Sequence, residues 1–250
     1  MCKRMLCFLE VCMNGIDKAK AKLNYFSKGE RILWLASVLL IVVSFCIFDR
    51  ANVLTLIASL TGATSLIFNA KGNPLGQLLM IIFSILYGVI SFSFAYYGEM
   101  MTYLGMTAPM AVFALISWLR NPYNGNKAEV KVNQIYAGEI VWMFVLTAIV
   151  TTVFYFILKA FHTANLIPST LSVATSFLAV YLTFRRSAYF AVAYAANDIV
   201  LIVLWILAAI SDITYLSVVI CFAMFLVNDI YGFINWSKMR KRQIAGAGRR

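Results

Sequence analysis

Long apolar runs separated by short polar segments make up most of the chain between residues 33 and 236. A helix of about 20 apolar residues is long enough to cross the hydrocarbon core of a bilayer. The pattern therefore predicts an all-α integral membrane protein with eight spans, the first of which is the shortest and is also compatible with a peripheral helix. The eight runs are Leu33–Phe48, Val53–Phe68, Pro74–Tyr97, Met100–Leu119, Ile140–Phe161, Leu166–Phe184, Ser187–Ala209 and Ile213–Trp236.

The composition supports a membrane protein and gives no sign of catalytic chemistry. Hydrophobic residues make up 62% of the chain and charged residues 12%, whereas soluble domains carry about 25% charged residues. The five cysteines form no Cys-x-x-Cys pair, and His162 is the only histidine, so neither zinc nor a Ser-His-Asp triad is expected. No phosphate-binding Gly-x-x-x-x-Gly-Lys-Ser/Thr motif occurs. We expect a protein that is not an enzyme and that uses no cofactor or metal.

The basic residues lie almost entirely on one side of the predicted membrane. With eight spans and a cytoplasmic N-terminus, 19 of the 21 Lys and Arg residues fall on the cytoplasmic side, and only Arg50 and Lys159 fall outside. Cytoplasmic loops carry such an excess of Lys and Arg. The split predicts that both termini are cytoplasmic, and it explains the net charge of +11 by membrane topology rather than by nucleic-acid binding. The expected partners are membrane lipid and a small molecule, not nucleic acid.

The two halves of the chain resemble each other weakly. Spans two to four end in Ile116-Ser117-Trp118, and spans six to eight end in Ile234-Asn235-Trp236. A tight acidic turn, Tyr97-Gly98-Glu99 or Ser211-Asp212, precedes Thr-Tyr-Leu in each half. These sequence similarities predict two three-span units in parallel orientation, although apolar helices also resemble each other by chance. The predicted segments are a basic cytoplasmic segment at 1–31, an extra span at 32–49, a first bundle at 50–121, a loop and linking helix at 122–163, a second bundle at 164–237 and a basic tail at 238–250.

The strongest chemical signal lies in the seventh span, where Asn197 and Asp198 fall about halfway through the membrane. Tyr194 and Trp205 share their helical face at a three-and-four spacing. A central Asp costs about 2.5 to 3.5 kcal/mol on insertion scales, so such a residue indicates a functional site. The alternative is an interhelical hydrogen bond that only stabilises the bundle.

Other spans carry matching polar positions. The eighth span repeats the Asn-Asp pair, and the fourth adds Tyr103, Thr107, Pro109 and Trp118, the last of which could also be an interfacial anchor. Amides suit an amide or sugar ligand, aromatic rings a flat heterocycle, and carboxylates a cation. We therefore expect a small-molecule substrate. The remaining candidate binding residues are Gln77, Tyr87, Asn228, Asp229 and Tyr231.

Several short motifs, taken in order, resemble the PnuC family of bacterial nicotinamide riboside transporters in its Gram-positive form. The resemblance covers about residues 50 to 240. The motifs are Gly76-Gln77, Ile82-Phe83-Ser84-Ile85-Leu86-Tyr87-Gly88, Tyr96-Tyr97-Gly98-Glu99-Met100, Thr102-Tyr103-Leu104-Gly105-Met106-Thr107, Ile116-Ser117-Trp118-Leu119, Ala193-Tyr194-Ala195-Ala196-Asn197-Asp198-Ile199-Val200-Leu201 and Asn228-Asp229-Ile230-Tyr231-Gly232.

This resemblance implies two parallel three-helix bundles joined by a linking helix, similar to the SWEET sugar transporters, with the first span added. It further implies uptake by facilitated diffusion across the bacterial plasma membrane, trapping by a cytoplasmic kinase that feeds NAD synthesis, and a possible homotrimer. Leu115 and Ala111 replace a tryptophan and a glutamine of the family pattern. The substrate could therefore also be thiamine, riboflavin or a deoxynucleoside. A proton-coupled symporter and a receptor or scaffold that transports nothing are the other hypotheses.

Overall fold

The computed structural model describes residues 25–93, 96–163 and 165–247. Within these residues, eight helical segments are long and apolar enough to cross a membrane, as the hydropathy pattern predicts. They are Lys28–Phe48, Val53–Ala70, Pro74–Ser93, Tyr97–Arg120, Ala137–Ala160, Leu166–Phe184, Phe190–Ala209 and Leu216–Ala247, the last preceded by a 3-10 turn at Ile213–Tyr215. We number these spans one to eight. The predicted basic segment lies outside the described residues as far as residue 24, as do residues 248–250 of the tail.

The chain divides into a unit that ends at Ala36 and a larger unit that begins at Ser37. In the first unit, Ser27 and Glu30 form a capping box that starts span one. The Glu30 backbone N–H donates to the Ser27 hydroxyl at 3.2 Å, and the Ser27 N–H donates to the Glu30 carboxylate at 2.7 Å. Two of the backbone donors that a helix start leaves unpaired are thereby satisfied.

Span four is irregular, and its start differs from the sequence prediction. The acidic turn predicted at Tyr97-Gly98-Glu99 is wrong, because span three ends at Ser93 and an α-helix already runs from Tyr97 to Thr102. A π-helical segment, Tyr103–Thr107, then leads into the helix Ala108–Arg120. Pro109 lies in the first turn of that helix, and proline cannot donate the usual i−4 hydrogen bond. A π-bulge just before it accommodates the missing bond.

The spans of the larger unit pack as two groups of three. Span three contacts spans two and four, and span seven contacts spans six and eight. The groups meet where span two packs on span eight and where span four packs on span six, while span five packs on span six. At the start of span five, Glu139 forms an ion pair with the guanidinium of Arg185, and this hydrogen bonding raises the pKa of Arg185.

The two groups exchange equivalent hydrogen bonds at one end. The indole N–H of Trp118 donates to the Thr183 carbonyl at 2.9 Å, and that of Trp236 donates to the Asn69 carbonyl at 2.7 Å. The residue before each tryptophan also bonds across the groups, Ser117 to the Phe184 carbonyl at 3.0 Å and Asn235 to the Ala70 carbonyl at 2.7 Å. We call Ser117, Trp118, Asn235 and Trp236 the reciprocal tryptophan contact. These four residues belong to the two motifs from which the repeat was predicted, Ile116-Ser117-Trp118 and Ile234-Asn235-Trp236.

A β-hairpin covers the same end of the larger unit, and the sequence did not indicate it. Strands β1 (Pro122–Tyr123) and β2 (Asn126–Val130) pair antiparallel around an Asn124-Gly125 turn in which both residues have positive φ. The Val130 N–H donates to the Gly72 carbonyl at 2.9 Å, and the side chain of Gln243 donates to the Val130 carbonyl at 3.1 Å. The hairpin therefore connects the loop after span two to the end of span eight. We call this the hairpin end.

Aromatic residues fill the opposite end. The indole N–H of Trp205 donates to the Tyr87 hydroxyl at 2.7 Å. The rings of Tyr96 and Tyr215 lie 5.0 Å and 5.5 Å from the Trp205 ring. Trp205 is fully buried, so this cluster closes the opposite end much as the tryptophan contact closes the hairpin end.

Candidate functional site

A small polar void lies along the spans between the reciprocal tryptophan contact and the aromatic cluster. It measures about 20 Å³ and is lined by residues from all six spans of the two groups. Neither span one nor span five contributes a lining residue within the described part of the chain. Its polar lining residues are Tyr103, Thr107, Ser176, Tyr194, Asn197, Asp198 and Asp229.

The side chain of Asn197 is held in one orientation at this void. Its Oδ1 accepts hydrogen bonds from the hydroxyls of Thr175 at 2.8 Å and Ser176 at 2.9 Å, both on span six. Two donors to one oxygen leave the NH2 group on the other side of the amide. Within the described residues this NH2 group has no hydrogen-bond partner, so Asn197 can offer a donor to a ligand.

Two carboxyl groups meet at the void. Asp198 of span seven and Asp229 of span eight are 4% exposed each, and both line the void. The second oxygen of Asp198, Oδ2, is buried and has no hydrogen-bond partner among the described residues. The hydroxyl of Thr107, which lines the same void, is buried and unpartnered as well. Buried polar atoms normally find partners, so two unpartnered atoms at one void indicate a place where a ligand or water is bound.

Another buried carboxyl, Glu99, lies nearer the aromatic end. It is 2% exposed, and one oxygen accepts a hydrogen bond from Ser172 at 3.3 Å. Its other oxygen has no partner among the described residues. Sequence reasoning placed this residue in a turn and so missed it as a buried group. The observed helix start at Tyr97 turns it inward toward span six.

The structure brings together only some of the residues predicted to bind the ligand. Tyr194, Asn197, Asp198 and Asp229 line the void. Trp205 and Tyr87 bond to each other in the aromatic cluster, about two helical turns from Asp198. The remaining predicted residues lie away from the void as follows: Gln77 donates to the Asn69 side chain at 2.8 Å, Trp118 bonds the Thr183 carbonyl, and Tyr231 is half-buried on span eight.

Asn228 faces a different neighbour from Asp229. Its NH2 group donates to the Ser37 hydroxyl of span one at 2.9 Å and to the Met224 carbonyl at 2.7 Å. Successive residues of a helix point about 100° apart, and here Asp229 faces the void while Asn228 faces span one. The sequence could not show which of the two faces the void, because that depends on how span eight is rotated against its neighbours.

Trp118 and Trp236 are buried to 1% and 0% exposure. The alternative interpretation of Trp118 as an interfacial anchor is therefore wrong, because an anchoring indole lies at the membrane surface. Among the lining residues that the predicted set lacked, Tyr103 and Thr107 were already visible as polar positions of span four. Ser176 gave no such signal, because a single serine in an apolar run is common where helices pack closely.

The void has room for about one water molecule, whereas pockets for small molecules measure about 300 to 1,000 Å³. Buried tryptophans pack between the spans at both ends of the two groups. The structure is thus a closed state, and the spans must separate before a ligand can enter. No group of three or more His, Cys, Asp or Glu side chains suited to a metal occurs within the described residues.

Comparison with known proteins assigns the chain to a family. The family described as nicotinamide mononucleotide transporter matches residues 52–238. A protein of Neisseria mucosa named nicotinamide riboside transporter PnuC is 28% identical over 216 residues, which are 84% of this chain and 81% of that protein. A Haemophilus influenzae protein of the same name is 23% identical over 228 residues, 90% of this chain and 97% of that one.

A solved structure has the same fold. The crystal structure of the vitamin B3 transporter PnuC superposes with a TM-score of 0.76 at 26% sequence identity, covering 87% of this chain and 94% of the other. The all-helical fold, the transporter character and the resemblance noted in the sequence are therefore confirmed. The chain belongs to the nicotinamide mononucleotide transporter family, the family of the PnuC proteins.

Proposed function

We propose that this protein takes up nicotinamide riboside across a bacterial plasma membrane by facilitated diffusion. The observation that carries the proposal is the polar void lined by all six spans of the two groups, in a chain whose curated relatives are named nicotinamide riboside transporters. A site enclosed by both groups can face either side of the membrane when one group rocks against the other.

The chemistry of the void suits a pyridinium nucleoside. The NH2 group of Asn197 can bond the carboxamide oxygen, and the Asp198–Asp229 pair offsets the fixed positive charge of the ring. The rings of Tyr103 and Tyr194 offer faces on which the pyridinium can stack.

The predicted residues outside the void keep proposed roles in other states of the cycle. Trp205 and Tyr87 would contact the ligand as it enters from the aromatic end, and Trp118 as it leaves at the hairpin end. Asn228, Gln77 and Tyr231 would reach the ligand only if span eight or span three rotates, because in the closed state the amides of Asn228 and Gln77 are bonded to neighbouring spans.

The hairpin end carries most of the basic loop residues, so we place it and both termini in the cytoplasm. The reciprocal tryptophan contact supports two parallel repeats joined by span five. Accumulation by this route requires a cytoplasmic kinase that traps the riboside for NAD synthesis. Span five is largely exposed and would be available for contact with lipid or, in a homotrimer, with another copy.

The test is uptake into liposomes that contain the purified protein, the matching kinase and ATP. We expect saturable entry of labelled nicotinamide riboside that thiamine, riboflavin and deoxynucleosides do not suppress. Asn197→Ala should abolish uptake because it removes the only amide side chain that lines the void among the described residues. Thr152→Ala, an exposed residue of span five, is the matched control and should transport normally. Entry of another vitamin without the riboside would show that the substrate is wrong, and normal uptake by Asn197→Ala would remove that residue from the site.

A further inference from the structure

A cavity of about 610 Å³ lies at the hairpin end, between the β-hairpin and the last turns of span eight. We call it the hairpin cavity. Its volume is in the range of about 300 to 1,000 Å³ that is typical of small-molecule sites. Its lining includes Tyr123, Lys131 and Val132 from the hairpin and the segment after it, and Arg240, Gln243 and Ile244 from span eight. No described residue lines both this cavity and the void between the spans, so the hairpin cavity is a separate candidate site.

The hairpin cavity lies beyond the membrane-spanning part of span eight. The apolar run of that span ends at Trp236, whereas the helix continues to Ala247. At a rise of about 1.5 Å per residue, the lining residues from Arg240 to Gly246 lie about 6 to 15 Å past Trp236. A water-soluble ligand on the side that we place in the cytoplasm can therefore reach the cavity without crossing an apolar region.

Two basic side chains line this cavity without an acidic partner. Neither Lys131 nor Arg240 forms an ion pair with a described residue. The carboxylate of the hairpin, Glu129, is paired with Arg242 instead, and no Asp or Glu of the described chain lines the cavity. The excess of Lys and Arg in cytoplasmic loops explains the side on which the two residues lie, but it does not require them to line one cavity. The hairpin cavity thus carries two positive charges that the protein leaves uncompensated.

Hydrogen bonds hold the walls of the cavity in place. The side-chain oxygen of Gln243 accepts the Val132 N–H at 2.8 Å, and its NH2 group donates to the Glu129 carboxylate at 2.9 Å. The guanidinium of Arg240 lies 5.7 Å from the centre of the Tyr189 ring, a cation–π contact that orients the side chain without neutralising its charge. A site whose walls are already ordered loses little conformational entropy when a ligand binds.

The chemistry of the lining is suited to a phosphate monoester. Arginine binds phosphate through two parallel N–H donors and lysine binds it as a point charge. A phosphate monoester carries a charge of about −1.5 to −2 at pH 7, which two basic side chains balance. The ring of Tyr123 and the apolar side chains of Val132 and Ile244 offer a surface to the flat ring of a nucleotide.

The two basic residues belong to parts of the protein that must separate when the hairpin end opens. Lys131 follows the hairpin, which starts after span four and whose Val130 N–H donates to the Gly72 carbonyl after span two. Arg240 belongs to span eight, in the other group of three spans. A ligand bound to both residues is bound to the closed state only. Such a ligand lowers the population of the open state by mass action.

We propose that the hairpin cavity binds a phosphate monoester of nucleotide size and that the bound ligand holds the hairpin end closed. Binding needs no transport and goes beyond the uptake proposed above. A kinase that traps the transported riboside makes a phosphate monoester, so accumulated product would slow further uptake. This consequence, unlike binding and closure, rests on the proposed function.

Binding is tested by titration calorimetry of the purified full chain in a neutral detergent. The probe is adenosine 5′-monophosphate, which lacks a pyridinium charge and so tests the cavity rather than the void. We expect saturable binding of the monophosphate, and no binding of adenosine, because adenosine has no phosphate. The double variant Lys131→Gln with Arg240→Gln should weaken binding about 100-fold or more, since two charge-assisted contacts are lost. Lys127→Gln with Lys241→Gln removes the same charge from exposed residues outside the cavity and should bind normally.

Closure is tested by the rate at which a membrane-impermeant maleimide labels Thr107→Cys at the void from the cytoplasmic side of inverted vesicles. The monophosphate, at ten times its dissociation constant, should slow labelling about tenfold. The slowing should vanish in the Lys131 and Arg240 double variant and persist in the control. Binding with an unaltered labelling rate would overturn the closing role.

The phosphate monoester has two possible sources, a soluble nucleotide and the headgroup of phosphatidic acid. If only phosphatidic acid, added to the detergent micelles, raises the melting temperature of the native chain and not of the double variant, the site stands and its ligand is a lipid. If neither compound binds, or adenosine binds as well as its monophosphate, the proposal is wrong. These decisions use the native protein, so they hold even if the double variant does not fold. They also hold if no riboside is transported, which would refute the proposed function alone.

Discussion

The reciprocal tryptophan contact should hold the hairpin end closed, and its two halves should contribute equally. Trp118→Phe and Trp236→Phe each remove one indole N–H donor and keep a ring beside Phe190, which packs on both indoles at 6.4 Å and 4.9 Å. We expect each change to favour the state that is open at this end. The two bonds of 2.9 Å and 2.7 Å are equivalent in the two groups of spans, so the two effects should be alike.

The free-energy cost of each change depends on whether the accepting carbonyl keeps another hydrogen bond. The Thr183 carbonyl also accepts the Arg186 N–H at 3.0 Å, and the Asn69 carbonyl accepts the Gly72 N–H at 2.9 Å. Neither carbonyl is left without a partner. Each change should therefore destabilise the closed state, relative to the open state, by about 1 kcal/mol, the net value of one hydrogen bond. About 1 kcal/mol shifts the open fraction about fivefold, and both changes together shift it about 30-fold.

The open fraction can be measured by cysteine labelling. Thr107→Cys at the void, in a protein whose native cysteines have been replaced, is exposed to a membrane-impermeant maleimide from the cytoplasmic side of inverted vesicles. The labelling rate should rise about fivefold with either tryptophan change. Trp142→Phe is the matched control, because that tryptophan is 65% exposed on span five and should leave the rate unaltered. Unchanged labelling in both variants would refute the closing role, and a change in one alone would refute the equivalence of the two halves.

Two further substitutions test how the spans pack around the site. Gly76→Ala would place a Cβ 2.2 Å from the Asn69 Oδ1 and 2.6 Å from its backbone nitrogen, so spans two and three must separate. We expect this change to lower the free energy of unfolding, measured by thermal unfolding, by about 1 to 3 kcal/mol. Gly105→Ala is the control and should leave the free energy of unfolding unaltered, because no atom lies within 4 Å of the added Cβ. Ser176→Ala removes one of the two donors that orient Asn197 and should raise the KM for uptake about fivefold, for a loss of about 1 kcal/mol. An unaltered KM would show that Asn197 does not need this donor.

The hydropathy pattern located the spans because each is defined by its own length and apolar content. The predicted sixth span, Leu166–Phe184, has the observed bounds. Errors occurred where a span ends in mixed sequence: span three was extended to Tyr97 although it ends at Ser93, and span seven begins at Phe190 rather than Ser187. The residue at which a helix ends depends on turn-forming residues and on contacts with neighbouring helices, and a hydropathy profile contains neither.

The candidate site could be predicted in part. Inserting a carboxylate into the membrane costs free energy in any helix orientation, so the amino-acid sequence was enough to identify Asn197 and Asp198 as candidates. The tryptophans that end each half were visible as a repeated motif, but their burial was not, because it requires the opposite group of spans to supply a carbonyl acceptor.

The number of spans, the weak repeat and the polar positions of span seven follow from the amino-acid sequence, since they depend on composition and on spacing along the chain. Which residues meet depends on how the spans pack. This packing turns Asp229 toward the void that Asp198 also lines and Asn228 toward Ser37, and it places Trp205 in the aromatic cluster. The physical reason is that a helix can rotate about its axis without altering its own hydrogen bonds. Its rotation and depth are therefore set by side-chain packing against neighbouring helices, which the sequence of one span does not contain.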